Sequence, residues 1–68
     1  MKWIVSDPEH LGGAARVRDT RISLAHLLEL LASGMSIDEI VREYPSLSEE
    51  AIRGALTELA SSDRLTAA

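Results

Sequence analysis

From Ser23 onward the apolar positions recur with a period near 3.6. Leu24, Leu27, Leu28 and Leu31 fall at i, i+3, i+4 and i+7, the spacing of one buried face of a first helix. Ser23 stands where an N-cap is wanted, and Gly34 supplies the left-handed residue that ends the helix. Ser36-Ile37-Asp38-Glu39 then spells a capping box and opens a second helix with Ile37, Ile40, Val41 and Tyr44 inward. This helix stops before Pro45, which disfavours helical geometry at Tyr44. Ser48 caps a third helix with Glu49 and Glu50 in its first turn and an apolar face of Ala51, Ile52, Ala55, Leu56 and Leu59. Its outward side chains are predicted to include Glu49, Glu50, Arg53, Thr57 and Glu58.

Before Ser23 the pattern is different. β-Branched residues gather in Trp3-Ile4-Val5 and Arg16-Val17-Arg18, separated by Asp7-Pro8 and Gly12-Gly13 as turn material. Two short strands forming a hairpin are predicted, the second with Val17 on one face and arginines on the other. A lone hairpin is marginal, so it must dock on the helices. The expected class is mainly α: a three-helix helix-turn-helix bundle with a short amino-terminal β-hairpin. The expected organisation is a single domain over residues 1–68, with a hairpin arm at 1–22, a three-helix unit at 23–61 and a short polar tail at 62–68.

Composition narrows the functional classes. The chain has 68 residues, of which 46% are hydrophobic and 3% aromatic, and it lacks cysteine, so neither disulfides nor thiolate metal sites can reinforce a thin core. A symmetric partner, as in a homodimer, or a second protein would help. No stretch approaches the length of a signal h-region or a membrane span, and a soluble cytoplasmic protein is expected.

Catalytic chemistry has little support. His10 beside Glu9 and His26 in the first helix lack any metal-ligand spacing, Ser23, Ser36 and Ser48 are explained as caps, and Gly12-Gly13 lacks the lysine of a phosphate loop. No enzyme, cofactor or metal site is expected. Asp19 and Thr20 are expected to shape a turn, and Trp3 to plug the core or contact a dimer partner.

The charge distribution is more informative. The formal net charge is -4, yet three of the seven lysines and arginines, Arg16, Arg18 and Arg21, lie within six positions. These three are candidate residues for binding a protein partner or nucleic acid, alongside Arg53 and Thr57 on the third helix, where a helix-turn-helix would read a major groove. Glu49 and Glu50 at the start of that helix disfavour contact with phosphate.

The order Asp7-Pro8-Glu9, Gly12-Gly13, Arg18, Thr20-Arg21-Ile22 and then LLELLASGMSIDEIVREYPSLSEEAIRGAL resembles the bacterial family called domain of unknown function 433. Its members share a pattern like dPeilgGkPvirGTRI, a leucine-rich helix, SieEI, YP.L and eedI..AL. This chain has Ala15 and Asp19 where that pattern has proline and glycine. The resemblance implies a homeodomain-like three-helix fold, usually dimeric. It also implies an antitoxin-like role beside a PIN-like ribonuclease toxin from an adjacent gene, with repression at operator DNA as an added function. A free-standing dimeric helix-turn-helix regulator is the alternative.

Overall fold

The computed structural model describes residues 2–6 and 13–61. Its elements follow in the order β1 (Ile4–Val5), β2 (Arg16–Val17), α1 (Leu24–Ala32), α2 (Ile37–Glu43) and α3 (Glu49–Ala60). The fold is mainly helical, with a small two-stranded antiparallel sheet near the amino terminus. Ile4 pairs with Val17 and Val5 with Arg16. The expected turn residues Asp7, Pro8 and Gly12, the Glu9-His10 pair and the tail at 62–68 lie outside the described residues.

The helix boundaries are set by local chemistry. Ser23, Ser36 and Ser48 each accept a hydrogen bond from the backbone three residues on, at 3.0, 3.1 and 3.0 Å, satisfying one of the amide donors that a helix start leaves open. Glu39 completes the reciprocal bond to the Ser36 amide at 2.8 Å. Gly34, at φ 100°, follows the last residue of α1 and its cap. Tyr44 leaves helical geometry at φ -123° and ψ 84°, as the following proline requires. The chain then turns through a 2.9 Å bond from the Leu47 amide to the Tyr44 carbonyl, which carries Leu47 into the interior.

The core comprises Val17, Ile22, Leu27, Ile40, Leu47, Ala51, Ile52 and Ala55. Val17, Leu27, Ile40 and Ile52 are its largest fully enclosed side chains, and truncating Leu27 or Ile40 to alanine costs about 2–5 kcal/mol. One expected face needs correction: Leu28 is 40% exposed, and Leu24 and Leu31 are half-buried. With leucine at five of the first eight positions of α1, no single apolar stripe is defined, and it is Leu27 that enters the core.

β2 is held on both edges. On one side the Arg18 amide donates to the Trp3 carbonyl at 2.8 Å. On the other, Arg16 bridges Ser23, the Val17 amide donates to the Ile22 carbonyl at 3.0 Å, and the Leu24 amide donates to the Ala15 carbonyl at 2.9 Å. α1 therefore starts directly from the strand's second edge.

β1 is anchored to the far end of the chain. The Glu58 carboxylate accepts from the amides of both Trp3 and Ile4, the latter at 2.9 Å. This corrects the expectation that Glu58 faces outward: a strand edge with two open amides is a better partner than water for a half-buried carboxylate. One turn earlier Gly54 receives the Trp3 indole so closely that any Cβ there would collide with the ring. Trp3 is thus a half-buried plug against α3.

Candidate functional site: an arginine-lined cleft

The residues from Val17 to Ile22 form a tight reversal. The Thr20 amide donates to the Val17 carbonyl at 3.1 Å, and Asp19 sits at φ 63°, a conformation that aspartate adopts more readily than most residues. Thr20 locks the reversal from inside. Its hydroxyl donates to the Val17 carbonyl at 2.7 Å and accepts from the Ile22 amide at 3.1 Å, and the residue is 8% exposed. Asp19 and Thr20 do shape this turn. Asp19 also occupies the left-handed position at which the family pattern carries glycine.

This reversal forms one wall of a cleft of about 860 Å³ lined by Val5, Ser6, Arg16, Arg18, Asp19, Thr20, Arg21, Ile22, His26 and Ser46. The three candidate arginines of the β2 region are therefore brought together. They meet a single carboxylate among the described lining residues, on a chain whose net charge is -4. At the cleft His26, on α1, stands edge-on to Tyr44, with ring centres 5.6 Å apart and planes at 83°.

The arginines are held differently. The Arg18 guanidinium lies 4.7 Å from the centre of the Trp3 ring, and its Nε is 3.7 Å from the Asp19 carboxylate. This cation–π stacking stabilises the pair by about 0.5–1 kcal/mol. Arg21 is exposed, whereas Arg16 is half-buried and its Nε–H is enclosed with no acceptor. The alternation of Arg16, Val17 and Arg18 is visible in the sequence, but the partial burial of Arg16 is not, because it depends on chain packed on both edges of β2.

Arg53 and Thr57 do not join this site. They are exposed on α3, where Arg53 Nε contacts Glu49 Oε2 at 2.8 Å and the Thr57 hydroxyl donates to the Arg53 carbonyl at 2.8 Å. The exposed side of α3 thus carries Glu49, Glu50 and one arginine already paired with Glu49. Sequence reasoning missed Gly54 and the inward role of Glu58. A glycine inside an otherwise regular helical pattern was the available signal for close packing at Gly54.

Two carboxylates are shifted by these arrangements. Burial acts to raise the Glu58 carboxyl, but the amides of Trp3 and Ile4, with the nearby positive charge of Lys2, hold the group below its ordinary value. The Ser36 amide, with the Ser36 hydroxyl, holds Glu39 below its ordinary value as well. Among the described residues no group of three or more His, Cys, Asp or Glu side chains could hold a metal ion, and no helix is long and apolar enough to cross a membrane.

A protein of Sinorhizobium fredii, "Uncharacterized protein y4eO", is 36% identical over 50 residues, which make up 74% of this chain and 23% of the relative. The chain thus spans about a quarter of that relative's length. No solved structure gives a significant match. The model of the family described as "Protein of unknown function (DUF433)" matches residues 4–57, a span that includes both strands, α1, α2 and most of α3, and the chain belongs to that family.

Proposed function

We propose that this chain is a non-enzymatic, antitoxin-like binding module of the cytoplasm, acting as a homodimer that binds and occludes a PIN-like ribonuclease encoded beside it. The observation that supports this reading is the convergence of Arg16, Arg18 and Arg21 on one cleft of an otherwise acidic chain. A metal-dependent ribonuclease gathers carboxylates at its active site, and guanidinium groups are suited to meet them in two-bonded pairs. The acidic remainder of the module complements a basic RNA-binding groove.

Co-expression with the product of the adjacent reading frame tests the reading. Growth rescue and a stoichiometric complex are expected. Inhibition left intact when Arg16, Arg18 and Arg21 are all replaced by alanine eliminates the arginine mechanism.

A dimeric regulator reading operator DNA is the second reading, favoured by the α2–α3 order. The acidic amino-terminal turn of α3 and the Arg53–Glu49 pair weigh against it. Operator binding whose logarithmic salt dependence has a slope of about -0.9 per neutralised phosphate, abolished by changing Arg53 and Thr57, would establish that reading instead.

A further inference from the structure

We propose that the cleft beside the Val17–Ile22 reversal is a carboxylate-binding site, with Arg16 as its innermost cation and an acidic segment of a protein partner as its ligand. The proposal rests on the reading of this cleft as a partner surface, and singles out Arg16 and a short acidic segment as the pair that meets there.

The observation that points to a ligand is the Arg16 Nε–H, enclosed by protein and without an acceptor. Unsatisfied buried donors are rare in folded proteins, and one on a charged group is especially unfavourable. The guanidinium has five N–H donors in a rigid fork, and a carboxylate supplies two oxygens at matching spacing. Arg16 is itself one of the residues that line the cleft, together with Arg18 and Arg21.

The surrounding structure is organised to hold that cation in place. Its backbone is fixed by β1 on one edge and by the Ser23 bridge on the other. Arg21 is carried toward the same cleft by the reversal that Thr20 locks. At about 860 Å³ the cleft is larger than a lone anion needs, and Val5 and Ile22 provide apolar wall for the stem of an acidic side chain.

Nucleic acid fits less well. Single strands bind through aromatic rings that stack with bases, whereas the Trp3 ring is covered by Arg18 and His26 is engaged edge-on with Tyr44. The net charge of -4 also disfavours a long polyanion more than a short acidic segment.

The test is nuclear magnetic resonance titration of the full chain, uniformly labelled with ¹⁵N, following the arginine Nε–Hε signals. The probes are a blocked tetraglutamate peptide, a blocked tetraglutamine peptide and a single-stranded oligonucleotide. Saturable shifts of Arg16 Nε–Hε and of the amides from 16 to 22 are expected with the acidic peptide and not with the neutral one. Arg21→Gln, at an exposed position, should keep the fold and weaken binding by about tenfold, the order of one charge-assisted pair. Arg16→Lys should retain charge but lose the two-bonded fork, and weaken binding at least as much.

Absence of saturable shifts with tetraglutamate, equal shifts with tetraglutamine, or tighter binding of the oligonucleotide would each overturn the proposal. The titration uses the isolated chain, so a failed co-expression experiment leaves its outcome independent.

Discussion

Gly54→Ala provides a sharp test of how β1 is docked. Glycine inside a helix is ordinarily worse than alanine by about 0.5–1 kcal/mol, so on propensity alone the substitution stabilises α3. At this position the new methyl would collide with Cδ1, Nε1 and Cγ of the Trp3 indole. The ring cannot yield freely, because the amides of Trp3 and Ile4 are fixed to Glu58 and the Trp3 carbonyl accepts from Arg18. Overpacking of this kind costs about 1–3 kcal/mol. The expected net loss is on the order of 1–2 kcal/mol, or roughly 4–16 °C in Tm for a domain of this size. In a Trp3→Ala background the collision is absent, and the same Gly54→Ala change should raise stability by about 0.5–1 kcal/mol. Thermal and urea unfolding followed by circular dichroism of the four proteins would measure this reversal of sign. A Gly54→Ala protein more stable than the parent in the Trp3 background would refute the docking argument.

The Glu58 carboxyl is held low in the folded state, so the unfolded chain binds more protons in acid; its contribution is present above about pH 4.5 and is lost as the pH falls through the folded value. Glu58→Gln should therefore flatten the fall in urea midpoint between about pH 6 and about pH 3, and an unchanged acid limb would count against the clamp. Asp19→Gly should raise Tm modestly because residue 19 sits at φ 63°, whereas Asp19→Val should lower the unfolding free energy by on the order of 1–2 kcal/mol; a Val variant as stable as the parent would sink the turn assignment. Ser36→Ala should cost about 1 kcal/mol through loss of the α2 cap while leaving the tetraglutamate titration unchanged, and altered cleft binding would contradict the separation of cap and cleft.

What could be read from the sequence divides along a physical line. The caps at Ser23, Ser36 and Ser48 and the left-handed position at Gly34 depend on a few consecutive residues, and all stand where the pattern put them. The clustering of Arg16, Arg18 and Arg21 is equally local, since strand alternation and one tight turn bring them together. Leu28 could not be separated from Leu27 because the leucines of α1 satisfy several helical stripes at once, and only tertiary packing distinguishes them. Glu58 looked like a solvated helix residue because its partners are backbone amides, which carry no residue-type signature and lie more than fifty positions away.

The same carboxylate joins parts of the chain separated by 55 residues, whereas the caps and turns of the three helices close over a few. Joining distant segments costs more chain entropy before any contact compensates, so contacts of this separation form late in folding. The amino-terminal strand is held at both ranges: it pairs with β2 through Ile4–Val17 and Val5–Arg16, and its amides reach Glu58 on α3. Its hold on α3 is one carboxylate and one indole, and Trp3 and Ile4 also pack against the core. The cleft shares Val5 with that strand, so the clamp that seats β1 on α3 also sets one wall of the arginine-lined cleft.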